Sequence, residues 1–273
     1  MKVWRLIYSE PLDGPANMAV DEAIMRAVAD GDRPPTLRLY SWRPPALSLG
    51  YNQPSSQGID IAECARRGFD VVRRPTGGRA ILHADELTYS VCVRQDEIPG
   101  GHSTMDSYRH ISRGIIAGLE RLGAKVSLGD DGDAHRSGVD RTVRAMCFAK
   151  TARCDLQAAG RKIVGSAQVR RDGAILQHGS IPLTIDLEAQ GAVMPGESSE
   201  RAAARALAGA AMSVSELLGR PVSFEELSEA IVAGFADALG VELTPDALSP
   251  DEEDLAARLR AEKYADDAFT RRL

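Results

Sequence analysis

The sequence predicts an α+β fold: a mixed, largely antiparallel sheet flanked by helices, with a helical C-terminal extension. Three observations carry this. Short runs with strand character cluster in the middle of the chain, helical periodicity dominates both ends, and no regular βαβ alternation links them. Neither GxGxxG nor GxxxxGK[ST] occurs, so the usual phosphate-cradling loops of doubly wound nucleotide folds are absent.

Taken in order, "NMAVDEAIMRAVADG" (17–31) has the spacing of an amphipathic helix. Asn17 is its expected cap, Met18, Val20, Ala23, Ile24 and Val28 its core face, and Gly31 its stop. "TLRLYSW" and "ALSLGY" are short strands separated by Arg43-Pro44-Pro45. "DIAECARRG" is a helix ended by Gly68. "FDVVRR" and "RAILH" are strands joined by the turn-forming Pro75-Thr76-Gly77-Gly78, and "ELTYSVCV" (86–93) is another. Residues 104–123 form a helix closed by Gly123, and the polar, glycine-rich 128–142 is expected to be a mobile loop. "CDLQA" and "KIVGSAQV" are strands meeting through Ala-Gly-Arg, and "GAILQHGSIPL" supplies one or two more. From about 198 the chain turns helical, with helix starts at Ser223/Glu226 and Ser249-Pro250/Glu252. The expected division is a catalytic domain over 1–215 and a helical extension over 216–273 packed on it.

Composition excludes several classes. At 44% hydrophobic and 26% charged residues the chain is an ordinary globular sequence, and a net charge of −6 argues against a general nucleic-acid binder. No apolar run approaches the roughly 20 residues of a membrane span. The start, "MKVWRLIYSEPLDG", lacks the pattern of a signal peptide. Cys64, Cys92, Cys147 and Cys154 show no CxxC or Cys/His spacing, so no metal site is expected, and sparse cysteine fits a reducing cytoplasm.

Against that acidic background "VVRRPTGGRAILH" (71–83) stands out. Gly77-Gly78 lets a ligand approach the backbone, Arg74 and Arg79 offer guanidinium donors, and His83 can orient a group or exchange a proton. The plainer alternative is a hairpin turn whose arginines face water. Strand alternation puts Arg79, Ile81 and His83 on one face. A second candidate is "AMCFAKTARCDLQAAGRKIVGSAQ" (145–168), where Lys162 follows Cys147 by fifteen positions. A cysteine becomes nucleophilic when a nearby cation lowers its pKa, although a lone cysteine is more often a small buried hydrophobe. Residue types alone do not separate Cys147 from Cys154. Gly165 and Gly179 interrupt strands, which marks close approach, and His178 fits a satisfied structural histidine.

Together "NMAVDEA", "TLRLYSW", "ALSLGY", "VVRRPTGGRAILH", "ELTYSV", "GRKIVGSAQ" and "ILQHGSI" resemble, in order and spacing, the lipoate/octanoate protein ligase and transferase family. That family is similar in fold to the catalytic domain of biotin protein ligases. The resemblance covers about residues 1–185 and continues more weakly through "LSPDEEDLAARLRAEKYADDAF". Arg79 stands where ligases carry a third glycine, and a "CF" pair precedes the lysine of "GRKIVGSAQ", so the chain looks most like the cysteine-dependent octanoyltransferases of the Gram-positive type. Two positions depart from that branch: Ala84 follows the motif histidine in place of aspartate, and "AKTARCDL" follows "CF" in place of a Pro-Ser-aromatic segment.

The resemblance implies an octanoyl transfer from acyl carrier protein through a Cys147 thioester to a lysine of a lipoyl carrier domain, either glycine-cleavage H protein or a dehydrogenase E2 domain. Lys162 would position the acyl carbonyl and aid proton transfer. Arg74, Thr76, Gly77, Gly78, Arg79, His83, Gly165, Ser166, Ala167, His178 and Gly179 would line the substrate site. Thioester exchange is nearly isoenergetic, so no cofactor and no ATP is expected. Seven buried carbons at roughly 0.8 kcal/mol each would contribute about 5 kcal/mol. The implied enzyme is cytoplasmic and monomeric, with no nucleic acid or membrane partner. The rival implications are an ATP-dependent lipoate–protein ligase and an amidotransferase moving octanoyl between lipoyl domains.

Overall fold

An eight-stranded sheet ordered β11-β1-β2-β6-β10-β9-β8-β7 forms the spine of the protein in a computed structural model, which describes residues 1–55, 58–129, 155–195 and 199–272. Its strands are β1 (Lys2–Tyr8), β2 (Thr36–Tyr40), β6 (Glu86–Arg94), β7 (Ser127–Leu128), β8 (Leu156–Ala158), β9 (Arg161–Arg171), β10 (Ala174–Pro182) and β11 (Val241–Pro245). β1 runs parallel to β2 and β11, and every pairing from β2 to β7 is antiparallel. The mixed, largely antiparallel α+β architecture is therefore observed.

Alternation along the central strands sorts side chains onto two faces. Leu37, Leu39, Tyr89, Val91 and Ile181 face a core closed by α3 (Thr104–Arg121) and α7 (Phe224–Leu239), which contribute Ile111, Ile115, Ile231 and Phe235. Arg38, Tyr40 and Leu176 face α1 (Gly14–Asp30), whose Met18, Ala19, Ala23 and Ile24 are buried there together with Ala256 and Leu259 of α8 (Pro250–Leu259). A second, three-stranded sheet has the order β4-β3-β5, from β4 (Asp70–Arg73), β3 (Ala46–Leu49) and β5 (Ile81–His83). It is covered by α2 (Ile61–Arg67), α4 (Leu187–Val193) and α5 (Glu200–Ala210).

Several local expectations change. The first helix begins at Gly14 with Asp13 as its cap; Asn17 is fully buried inside it, donating to Leu12 O and Ser41 O. The strands before and after Pro75–Gly78 do not pair with each other. β4 lies parallel to β3 on one side and β5 antiparallel on the other, so the glycine segment crosses over the end of β3 rather than turning a hairpin. α3 ends at Arg121 with Leu122 as its cap, two residues ahead of Gly123. Strand β1 has no counterpart in the sequence reading, and the C-terminal helices are interrupted by β11, which extends the main sheet beside β1. Of the expected loop 128–142, residues 130–142 lie outside the described residues.

The C-terminal segment returns to the first helix. After α6 (Val214–Leu218), α7, β11 and α8, a π-helical turn (Arg260–Tyr264) and α9 (Asp267–Arg271) follow. Glu22 of α1 receives hydrogen bonds from Lys263 Nζ at 2.5 Å and from Tyr264 Oη. Burial pushes this carboxyl's pKa up, but those bonds and Arg26 hold it down at about 2. No helix among the described residues is long and apolar enough to cross a membrane.

Candidate active site

The strand registers build a cleft on the α1 side of the main sheet. One cross-strand row runs Tyr40–Thr88–Ser180–Gly165, and the next runs Arg38–Ser90–His178–Ala167. The smaller sheet stands against these rows and adds Ser48, Ile81 and His83, while Trp42 stacks on His83 with ring centroids 4.1 Å apart. The resulting space, about 370 Å³ with its mouth included, is mostly apolar in outline despite its many hydroxyls. Its residues are more enclosed at the Met18–Tyr40 end and partly exposed at Ser166 and Ala167, so it opens at β9.

Seven of the expected substrate residues line this cleft: Arg74, His83, Gly165, Ser166, Ala167, His178 and Gly179. Thr76 sits directly behind, its hydroxyl 2.6 Å from His178 Nε2. Gly77, Gly78 and Arg79 do not line it, although the turn carbonyls are gripped by Arg74: Gly77 O at 2.7 Å and Arg79 O at 2.7 Å. Gly78 has φ +91, and a side chain there would meet the Arg74 guanidinium at 2.7 Å. The opposing Gly50 is just as constrained, because a Cβ there would lie 1.9 Å from Gly78 O. Glycine is thus required for backbone-to-backbone contact at this crossover.

Arg73 and Arg74 are not surface cations. Arg73 is fully buried and donates to six carbonyls, those of Gly50, Tyr51, Gln53, Phe269, Thr270 and Arg272. Arg74 is 4% exposed and serves the glycine turn and Ser48. The sequence spaced them as one cationic spot; the fold turns each into an internal clamp, so neither is free to dock a partner.

Two carboxylate–histidine pairs face the cleft. His178 Nδ1 is 3.0 Å from Asp21 Oδ2, and Asp21 also receives Arg38 at 2.8 Å and Tyr40 Oη at 2.9 Å. Burial pushes the His178 pKa down despite Asp21, which keeps the imidazole neutral. Burial opposes ionisation of Asp21, but the His178 hydrogen bond and the Arg38 charge hold its pKa below the usual range. Burial and Asp21 push the Tyr40 phenol well up, so it remains a donor. The other pair joins His83 Nδ1 to Glu86 Oε1 at 2.7 Å, with His83 Nε2 2.7 Å from Ser48 Oγ. Sequence reasoning missed Glu86. Its only signal was its place three residues after the motif histidine, where it reads as the first residue of a strand.

Lys162 is not among the residues that line this cleft. It lies on β9, 1% exposed, with its ammonium 2.8 Å from Asp155 Oδ2. Cys147, its expected companion, lies outside the described residues, as does Cys154. Both cysteines that are described are buried: burial pushes the Cys64 thiol up to about 11 and that of Cys92 well above its ordinary value. Neither suits nucleophilic work.

Residues 13–236 match the model of the lipoyl protein ligase A/B catalytic domain. Among curated relatives, octanoyltransferase LipM of Symbiobacterium thermophilum is 46% identical over 98% of both chains, and that of Kyrpidia tusciae is 42% identical over 98% of both. Among solved structures, the bi-partite lipoate protein ligase of Thermoplasma acidophilum, described with its E2 lipoyl domain, superposes with a TM-score of 0.82 at 26% identity, covering 100% of this chain and 98% of that one. A lipoate-protein ligase A bound with ATP gives 0.79 at 25% identity over 99% of both.

Proposed function

The chain belongs to the lipoyl protein ligase A/B catalytic-domain family, and from that premise we propose how it performs its reaction, an octanoyl transfer in protein lipoylation that makes it an acyltransferase. It acts on lipoyl-domain proteins. The donor in this reading is octanoyl-acyl carrier protein and the acceptor a lysine of a lipoyl carrier domain, such as glycine-cleavage H protein or a dehydrogenase E2 domain. The enzyme works as a monomer in the cytoplasm, where thiols stay reduced.

Cys147 is the nucleophile. Its thiolate attacks the donor thioester, the carrier thiolate leaves, and an octanoyl-enzyme thioester remains. The acceptor lysine, as free amine, then attacks that thioester and Cys147 leaves as thiolate, taking up the amine's proton. The Lys162 ammonium, held by Asp155, donates to the acyl oxygen as negative charge develops there. The octanoyl chain lies in the cleft, whose mostly apolar lining includes the backbone of Gly165 and Gly179.

The observation that carries the choice over an ATP-dependent ligase is the degree of sequence identity over matches of similar length. Octanoyltransferases match at up to 46% identity along nearly the whole chain, whereas the ligases match at 25–26%. Supporting Cys147 is the chemistry of the alternatives, since Cys64 and Cys92 are buried thiols with raised pKa values.

Intact-protein mass spectrometry after incubation with octanoyl-acyl carrier protein, without ATP, tests this on wild type and Cys147→Ala. A hydroxylamine-labile octanoyl adduct present only in wild type is the expected result. Survival of the adduct in Cys147→Ala would move the role to Cys154. Absence of any adduct, with lipoyl transfer only when ATP and lipoate are supplied, would make the chain a ligase. An octanoyl adduct formed only from an octanoylated lipoyl domain would make it an amidotransferase.

A further inference from the structure

Glu86 is 4% exposed and does not line the cleft, yet the polar wall of the cleft converges on it. Oε1 accepts from His83 Nδ1 at 2.7 Å and from Thr88 Oγ1 at 2.5 Å, and Oε2 accepts from Ser180 Oγ at 2.5 Å. Each of those three side chains lines the cleft. Two of them carry the connection further. Thr88 accepts from Trp42 Nε1 at 2.8 Å, and His83 Nε2 lies 2.7 Å from the Ser48 hydroxyl. Ser48 in turn accepts from Arg74 at 3.0 Å, and Arg74 holds the carbonyls of Gly77 and Arg79.

All these bonds point one way. An ionised carboxylate only accepts, so in the neutral tautomer of His83 that carries its proton on Nδ1 the ring presents Nε2 as an acceptor, and the Ser48 proton points toward it. That leaves a Ser48 lone pair for Arg74, whose guanidinium only donates. The Ser–His–Glu order has the outline of a hydrolase triad. Two features speak against a nucleophilic serine: Ser48 is fully buried, and its oxygen is already engaged by both His83 and Arg74.

We propose that Glu86 is the positioning residue of the acyl cleft: through His83, Thr88 and Ser180 it fixes the proton directions of the wall, and through Ser48 and Arg74 it sets the glycine crossover. It touches neither acyl chain nor reacting atoms. This rests on the octanoyltransferase reading, because the cleft it organises is the one assigned to the octanoyl chain. Changing Glu86 to glutamine keeps the shape but adds an N–H donor, which conflicts with the three donors aimed at it and frees His83 to take the other tautomer.

The test is steady-state octanoyl transfer from octanoyl-acyl carrier protein by wild type and Glu86→Gln, with the far-downfield proton signal of a carboxylate-bound imidazole N–H followed by NMR. The expected result is a loss of about 10- to 100-fold in kcat/KM, carried mainly by KM, and disappearance of one downfield signal. Wild-type kinetics in Glu86→Gln, or retention of the His83 signal beside that of His178, would overturn the assignment. Should Glu86→Gln fold poorly, Ser48→Ala cuts the same relay while keeping the buried carboxylate, and unchanged kcat/KM there would also overturn it. A wild-type protein that moves no octanoyl at all would instead refute the parent reading.

Discussion

Lys162 and Asp155 form a buried ion pair, 2.8 Å apart with side chains only 1% and 3% exposed. A charge so enclosed depends on its partner, because neither can be solvated by water once the other is removed. Asp155→Asn is therefore expected to destabilise the protein by about 3–5 kcal/mol and to reduce octanoyl transfer along with it. Replacing both members by apolar residues should restore much of the stability without restoring transfer. Urea unfolding together with the transfer assay reads both effects; recovery of transfer in the double variant would remove Lys162 from the chemistry.

Gly179 tests the fit of the cleft wall. A Cβ there would lie 2.5 Å from Ser166 Oγ, 2.7 Å from Tyr89 Cε1 and 2.8 Å from Gly165 O. The backbone oxygen cannot rotate away. Gly179→Ala is expected to cost about 1–3 kcal/mol and to push against Ser166 and Gly165, which line the proposed acyl cleft. Thermal unfolding and transfer of octanoyl against butyryl check it, with the longer chain losing more.

The acid limb of the stability curve reports Glu22. Its pKa falls from 4.5 to about 2 in the folded protein, so the folded state favours the ionised form. A depressed pKa contributes stability above the unfolded value, and that contribution is lost as pH falls from about 4.5 toward 2. At neutral pH it is worth up to about 3 kcal/mol. Wild type should exceed Glu22→Gln in urea resistance at pH 7, with the gap closing through that window. A gap unchanged at pH 2.5 would contradict the assignment.

Arg73 cannot be exchanged for lysine. One ammonium has three donors and no planar fork, while the six carbonyls around Arg73 lie on two separate segments. Arg73→Lys is expected to lose roughly 2–4 kcal/mol and to loosen α9. Limited proteolysis should then cut first between residues 265 and 272, a region resistant in wild type.

What could be read from sequence followed from periodicity. The β8–β9 hairpin, the α3 helix and the capping box at Ser249 were legible because each is set by neighbours a few residues away. The crossover at Pro75–Gly78 was not, because a glycine turn looks alike whether its strands pair together or flank a third. Asn17 misled for a related reason: a good capping residue was drawn into the interior by Arg38, twenty-one positions away. Seven of the eleven motif residues proposed for the substrate site line one cleft. The residue that ties its polar wall together, Glu86, was silent, because a carboxylate at a strand start normally faces water.

Arg73 also imposes an order of events on the growing chain. Its partners at Gly50, Tyr51 and Gln53 are made before it, but those at Phe269, Thr270 and Arg272 come 196 to 199 residues later. At about 5–20 residues per second the ribosome takes roughly 10–40 s to supply them. Throughout that interval a guanidinium destined for the interior has half its cage missing and stays hydrated. The neighbouring glycine crossover is left waiting with it. Synthesis therefore passes through a stage in which most of the enzyme's motif residues exist as polymer while the cage around Arg73 is still incomplete, a natural window for chaperone capture.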